Sequence, residues 1–306
     1  MKILITGASG LLGGRFAEFF SNKDHDIISL TRDATNNNSL KNYGSIENID
    51  WNDQKKLNDI CKDLDLIIHA AGPSAQECAD NPHESVSSYE KLTRNLLKSI
   101  EINSVKKVIF LSSIHVYSKN FKGYIDEETN LSNNHPYALS KIAAENIFNN
   151  FNNSDTKCFI LRLANCYGYP TTKTKSPWSL FVNNICRRAI TDKHILIENN
   201  PFNKRDFIPI TYLCEIIDGI LNNNVMHDTY NVSSGKTTEL IDFASYIKNI
   251  MDGIFDNPVT LKYNNSHKKV DDYVLSNNKI KSQVPNIPIN HKDEIKDLVL
   301  YCKKYF

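Results

Sequence analysis

No apolar run in the 306 residues approaches the roughly 20 positions that a membrane span requires. Charge of one sign is not in excess. The 36 Lys and Arg stand against 35 Asp and Glu, and a net charge of +1 offers no field to gather nucleic acid or an anionic membrane. None of the seven cysteines (Cys61, Cys78, Cys158, Cys166, Cys186, Cys214, Cys302) stands in a C-x-x-C pair. An odd, scattered set reads as reduced thiols in a cytoplasmic protein, not as a disulfide framework or a zinc site, and no metal site is expected. The N-terminal apolar patch is cut by glycine and polar residues after five positions, so it does not read as a leader. Internal repeats and low-complexity tails are also lacking.

What is there begins at the N-terminus. Ile3–Ile5 reads as a short buried strand. Thr6-Gly7-Ala8-Ser9-Gly10-Leu11-Leu12-Gly13 then turns the chain into a helix whose apolar residues (Leu12, Phe16, Phe19, Phe20) recur at helical spacing. Glycines at 7, 10 and 13 suit a tight turn, close approach of backbone to a pyrophosphate, and close packing of helix on strand. The helix N-terminus offers unpaired N–H groups to phosphate. Gly7, Ser9, Gly10, Leu11, Leu12 and Gly13 are therefore assigned to a dinucleotide cofactor.

A second strand, Ile27–Leu30, ends in Thr31-Arg32-Asp33. An acidic residue there would bind the adenosine ribose of NAD, whereas Arg favours the 2′-phosphate of NADP. Thr31 takes the acidic position and Arg32 follows, so the reading leans to NADP, with Asp33 on the ribose and NAD as the alternative. Ile46–Asp50 reads as a third strand, placing Asp50 near the adenine, and Asp53–Lys62 as a helix. Leu64–His69 reads as a fourth strand, ending in Ala70-Ala71-Gly72-Pro73, small residues that let a backbone pass close to a ligand. Asn81, Pro82 and Glu84 look like a helix start with a capping box, opening a long helix to Ile102. Lys107–Leu111 is a fifth buried strand. Strands alternating with helices argue for an α/β fold built on a doubly wound parallel sheet.

Two later stretches carry chemistry. The fifth strand runs into Ser112-Ser113-Ile114-His115-Val116-Tyr117, and a helix holds Tyr137 and Lys141 four residues apart, on one face. An ammonium beside a phenol favours phenolate, making Tyr137 a usable general acid or base, and a strand-end serine can bond the reacting oxygen.

Together these features resemble the extended short-chain dehydrogenase/reductase family, in its nucleotide-sugar epimerase, dehydratase and reductase branch. Thr6–Gly13 is similar to its T-G-x-x-G-x-x-G loop, and His69–Gly72 to its H-x-A-A signature with Gly for the last Ala. Ser112–Tyr117 is similar to its S-S-x-x-V-Y motif and Tyr137–Lys141 to its Y-x-x-x-K pair. Arg162–Gly168, Arg205–Ile208 and Tyr230–Gly235 resemble its later R-x-x-N-x-Y-G, R-D-F/Y-I/V and Y-N-x-x-x-G segments. The resemblance implies that Ser113, Tyr137 and Lys141 are the catalytic set, with Ala70, Ala71, Gly72, Tyr137 and Lys141 also lining the cofactor. It places Ser74 and Asn165 at the substrate, Arg205 on its diphosphate, and Lys268 or Lys269 where the family usually has a second Arg.

Two departures stand out. The 4,6-dehydratases carry Asp then Glu between that serine and valine, and this chain has Ile114 and His115, so dehydration lacks its acid and base. His115 is a candidate to move a proton at a sugar carbon next to a ketone. Tyr89 stands where a family helix usually carries Asn, which bears on the support of that helix.

Residues 1–166, with elements near 205–235, are expected to form the dinucleotide domain, interleaved with a substrate lobe at 167–306. In the lobe, Lys173 and Lys175 lie on a polar loop, Trp178–Ile190 is a helix bearing Arg187 and Arg188 as a solvated face, and Thr237–Ile250 and His291–Tyr301 are amphipathic helices. The expected function is reduction of a keto group, at C4, of a nucleotide-linked sugar by NADPH. The alternative is an NAD-dependent nucleotide-sugar epimerase. A remote alternative, a non-catalytic NADP-binding protein, has no need of Ser113, Tyr137 and Lys141. No nucleic acid or membrane partner is expected. The family habit implies a homodimer through Pro82–Ile102 and Tyr137–Phe151.

Overall fold

Short apolar runs alternate with amphipathic helices, and a computed structural model shows how the chain winds them together. It describes residues 1–306 apart from 36, 152, 173–175, 256–257, 265–269 and 271. Lys173, Lys175, Lys268 and Lys269 therefore lie outside the described residues.

From the N-terminus the elements are β1 (Lys2–Thr6), α1 (Leu11–Ser21), β2 (Asp26–Thr31), β3 (Ser45–Asn48), α2 (Gln54–Ile60), β4 (Leu66–His69), α3 (Ala75–Asp80), α4 (Pro82–Ile102) and β5 (Lys107–Ser113). They continue with β6 (Gly123–Ile125), α5 (Pro136–Asn149), β7 (Lys157–Leu163), β8 (Asn165–Tyr167), α6 (Phe181–Thr191), β9 (His194–Ile197), β10 (Lys204–Pro209) and α7 (Ile210–Asn222). The rest are β11 (Thr229–Val232), β12 (Thr237–Glu239), α8 (Leu240–Asp252), β13 (Thr260–Tyr263), β14 (Tyr273–Leu275), α9 (Asn278–Gln283) and α10 (His291–Tyr305).

Among the described residues the main sheet has seven parallel strands in the order β11-β7-β5-β4-β1-β2-β3. It is a doubly wound α/β sheet. From β1 the chain moves outward through β2 and β3, then returns to place β4 on the other side of β1. The strand order reverses between β1 and β4, and in such sheets a ligand binds at the carboxyl ends there.

Both faces of the sheet are covered, which is why its strands read as unbroken apolar runs. Ile3 and Ile5 join Phe16, Phe20, Ile216 and Ile220 on the side of α1 and α7. Leu4, pointing the opposite way, joins Leu96, Ile100 and Phe148 on the side of α2, α4 and α5. A separate core gathers α6, α8 and α10 around Ile195, Phe207 and Leu298. The stretch 205–235 crosses between these bodies: β10 sits in a small sheet with β8 and β12, whereas β11 returns to the edge of the main sheet.

A buried ion pair ties the two bodies. Arg15 on α1 donates to Glu294 on α10 at 2.7 Å and lies 3.8 Å over the Tyr169 ring. The second Glu294 oxygen accepts the Thr211 N–H at the start of α7 at 3.1 Å. Leaving either charge buried without the other would cost about 3–5 kcal/mol.

The structure corrects some local expectations. The capping box lies at Ser74 and Glu77, not at Asn81 and Glu84, and it opens a short helix, α3, ahead of α4. Asn81 precedes α4 with no side-chain cap bond; its chain is already held by the end of α3. The third strand stops at Asn48, because Asp50 folds into its own turn by accepting the Asn52 N–H at 2.9 Å. Residues 237–239, expected to be helical, pair with β10 as β12, and α8 starts at Leu240.

Candidate active site

The glycine loop is built against the end of β4. Gly7 has φ +67°, and a Cβ on it would stand 2.7 Å from the Ala71 nitrogen and 2.8 Å from the Ala70 carbonyl oxygen. A Cβ on Gly13 would come within 2.4 Å of the Gly7 oxygen, so α1 packs directly on the turn. Gly10 is the N-cap of α1, extended and without a side-chain cap bond, which leaves the first N–H groups of the helix open. The Ser9 carbonyl accepts from Thr172 at 2.7 Å, Leu11 is buried and Leu12 half-buried. An open helix end behind a side-chain-free turn is a cradle for a pyrophosphate, and these residues fit a dinucleotide.

The end of β2 lies beside that loop. Thr31 is buried and its hydroxyl accepts the Asp33 N–H at 3.3 Å. Asp33 turns onto its own loop, accepting from the Thr35 N–H at 3.1 Å and the Thr35 hydroxyl at 2.7 Å. Arg32 is mostly exposed and reaches Glu77 of α3 at 3.8 Å. Asp50 is exposed, its carboxylate accepting from Asn52.

Beyond β4, Ala71 is held by side chains on both its backbone groups. Its N–H donates to Thr6 at 3.1 Å and its carbonyl accepts the Tyr89 hydroxyl at 2.9 Å. Thr6 also bonds His69 Nδ1 at 2.8 Å. Burial drives the His69 imidazole down to about 3, so it is neutral. The Ser74 hydroxyl accepts the Glu77 N–H at 3.2 Å as the cap of α3.

Tyr137, Lys141, Ser113 and His115 converge at the carboxyl end of β5. Ser113 accepts the His115 N–H at 3.2 Å and is hydrogen-bonded to Tyr137. Lys141 is 6 % exposed, and its ammonium donates to the Leu111 carbonyl at 3.0 Å and to the Tyr89 hydroxyl at 3.3 Å. Burial pushes its pKa down to about 8. Tyr137 differs from the expectation of a lowered phenol. Burial raises it, while a hydrogen bond with Ser113 works in the opposite direction. The ammonium lies 5.9 Å from the Tyr137 ring and its bonds go to Leu111 and Tyr89, so desolvation prevails.

His115 and Ile114 part company. Ile114 is buried in the core, whereas His115 is exposed and its ring lies 5.9 Å from Phe121. Desolvation, with the charge of Arg205 and then His135, holds its imidazole below the usual value. Arg205 is lowered by burial too. Asn165 donates to the Asp206 carbonyl at 2.9 Å, one strand from Arg205. Trp178 faces Tyr301 and Phe306 rather than the cleft, and Arg187 lies over its ring.

Behind the site runs a buried polar chain. Glu145, four residues after Lys141, accepts from Arg162 at 2.7 Å and from Ser112. Arg162 donates to Tyr117 at 2.9 Å, and Tyr117 to Asn231 at 2.7 Å. Sequence reasoning left this chain, His135 and the contact between Tyr89 and Lys141 unassigned. The visible signals were Glu145 on the lysine's helix face and the unusual tyrosine at 89.

A doubly wound sheet with a glycine cradle at its switch point, and a serine, tyrosine and lysine at the next strand end, defines an NAD(P)-binding short-chain dehydrogenase/reductase architecture. The model of the NAD dependent epimerase/dehydratase family matches residues 3–233, and the chain belongs to that family. It is 27% identical to a UDP-glucose 4-epimerase of Mycoplasma genitalium over 80% of this chain and 81% of that protein. It is 24% identical to the low-salt glycan biosynthesis protein Agl12 of Haloferax volcanii, over 79% and 81%. Among solved structures, a UDP-glucose 4-epimerase of Thermotoga maritima with UDP-glucose superposes with a TM-score of 0.83 at 19% identity, covering 99% of both chains. MoeE5 in complex with UDP-glucose and NAD has the same fold, with a TM-score of 0.78, 18% identity and 99% of both chains covered.

Proposed function

We propose that this protein reduces a ketone, at C4, of a nucleotide-linked sugar with NADPH. The carrying observation is the end of β2. Thr31 replaces a carboxylate, Asp33 is committed to its own turn, and Arg32 is left at the crevice. Gly7, Ser9, Gly10, Leu11, Leu12, Gly13, Ala70, Ala71 and Gly72 would line the dinucleotide. When bound, reduced nicotinamide supplies hydride. Ser113 holds the ketone oxygen, and Tyr137 gives that oxygen its proton. A phenol raised by burial is a suitable donor at neutral pH. Lys141 carries the charge beside them. Arg205 is a guanidinium fork for the diphosphate, and Asn165 and Ser74 flank the sugar.

His115, its imidazole held below the usual histidine value, would take a proton from the carbon next to the ketone and return one to it before the hydride arrives, so that reduction itself uses one hydride and the one proton from Tyr137. With Ile114 buried and His115 beside it, neither carboxylate of a dehydratase is present at those two positions. The protein is proposed to work in the cytoplasm as a homodimer. Its seven cysteines are free. The faces of α4 and α5 carrying Val86, Leu97, Leu139, Ile142 and Ile147 border an apolar groove of about 1000 Å³. No helix among the described residues is long and apolar enough to cross a membrane.

A second reading, an NAD-dependent nucleotide-sugar epimerase, uses the same Ser113, Tyr137 and Lys141 and is favoured by the epimerase relatives. One experiment separates the two. Protein purified without added cofactor is analysed by mass spectrometry, then given NADPH or NADH with 4-keto nucleotide sugars while nicotinamide absorbance is followed. Consumption of NADPH by an initially empty enzyme supports reduction. Tightly retained NAD(H), with no net consumption, supports epimerisation.

A further inference from the structure

We propose that Tyr89 is a positioning residue of the active site, fastening Lys141 to the Ala71 peptide at the cofactor crevice. The proposal rests on the reading of Tyr137 and Lys141 as the working pair. Its observation is separate: one phenol hydroxyl accepts from the Lys141 ammonium at 3.3 Å and donates to the Ala71 carbonyl at 2.9 Å.

A buried ammonium needs acceptors. The bonds of Lys141 go to the Leu111 carbonyl and to Tyr89. The titratable groups around it are Cys78 on α3, Tyr89 on α4, His69 at the end of β4, and Tyr137 and Glu145 on α5. Glu145 is bonded to Arg162 and Ser112, and His69 is neutral. Tyr89 is thus a neutral oxygen that helps keep the lysine charged where no carboxylate bonds it directly. The same hydroxyl fixes the far side of the Ala71 peptide, whose N–H is fixed by Thr6 on β1. Tyr89 consequently joins three elements at one oxygen: α4, the lysine of α5, and the chain leaving β4.

The ring also packs against neighbours. It stacks on His69 with centroids 6.0 Å apart and lies 6.4 Å from Phe110. Tyr89→Phe keeps that packing and removes only the oxygen. If Tyr89 were merely a filler, Tyr89→Phe would leave the lysine untouched.

The test uses the full chain with lysine side chains isotopically labelled, so that the titration of Lys141 is followed by NMR and assigned with Lys141→Arg. NADPH and NADH affinities are measured by fluorescence titration in parallel. In Tyr89→Phe the Lys141 titration moves to lower pH by about one unit, and the affinity for the preferred cofactor falls about tenfold. Gly72→Ala keeps the hydroxyl but crowds the ring off its place, and moves the lysine the same way; it carries the test if Tyr89→Phe does not fold. A Lys141 titration that stays in place in both folded variants, while Tyr137→Phe abolishes turnover, overturns the role of Tyr89 alone. Turnover that survives Tyr137→Phe overturns the catalytic reading and the role of Tyr89 with it.

Discussion

Gly72 lies flat against the ring of Tyr89: a Cβ at position 72 would stand 3.0 Å from Tyr89 Cζ and 3.1 Å from its hydroxyl oxygen. These are two of the places where the chain departs from the pattern it otherwise resembles, a glycine for an alanine and a tyrosine for an asparagine. They touch. The larger side chain on α4 occupies the volume that the missing methyl leaves beyond β4, so the two departures form one exchange of volume.

Arg32 decides the cofactor in the proposed function. Arg32→Ala is expected to weaken NADPH binding at least about tenfold, roughly 1.4 kcal/mol, and to leave NADH binding unchanged. Fluorescence titration with each nucleotide checks it. Equal losses for both would remove the basis of the NADPH preference, since the guanidinium would then act on the shared part of the molecule.

In the proposed function His115 gives the reaction an acidic limb. Its imidazole is held below the ordinary histidine value, first by desolvation and then by Arg205 and His135. As an acceptor it works when neutral, so the rate rises as pH climbs through its pKa and is level near neutrality. His115→Asn is expected to lower kcat about tenfold or more and to abolish that limb. A pH–rate profile of both proteins is the measurement.

Asp206 sets a pH dependence of stability. Its oxygens accept the Ser234 N–H at 2.8 Å and the Gly235 N–H at 3.0 Å, yet burial pushes its pKa up to about 7. Tyr212 and Tyr273 stand near it. The folded state holds this proton more tightly than the unfolded chain. The contribution is complete below about pH 4 and is lost as pH rises through about 7. Asp206→Asn cannot titrate, so thermal melts from about pH 5 to about pH 8 are expected to show a smaller decline in the variant than in the wild type.

The groove between α4 and α5 tests the dimer. Leu139 is 40% exposed at its edge. Leu139→Asp places a charge on that face, and is expected to shift sedimentation from dimer to monomer without lowering the melting temperature by more than a few degrees. Unchanged sedimentation of a monomeric wild type would show that the face is not an interface.

Legibility followed the range of the forces involved. The glycine loop was readable because its constraints are local: a positive φ at Gly7 and close contact at Gly13 act within a few residues. The pair Tyr137 and Lys141 was readable because helical spacing puts both on one face. The start of α4 was misread because the bonds that matter belong to Ser74 and Glu77, seven residues upstream of Asn81 and Glu84. Residues 237–239 were misread because helix periodicity runs through them, whereas pairing with β10 decides their shape. The direction of the Tyr137 shift depends on burial, and the contact of Tyr89 with Lys141 spans 52 residues of sequence. Neither is written in local pattern.

Arg15 and Glu294 are separated by 279 residues, yet they form one buried pair. During synthesis at about 5–20 residues per second, the cofactor helix emerges tens of seconds before the Glu294 carboxylate that Arg15 meets in the folded protein. Until then Arg15 has Glu18, 3.2 Å away on its own helix, as its carboxylate partner. The dinucleotide cradle is among the first parts of this protein to be made and, by that one ion pair, among the last to be completed.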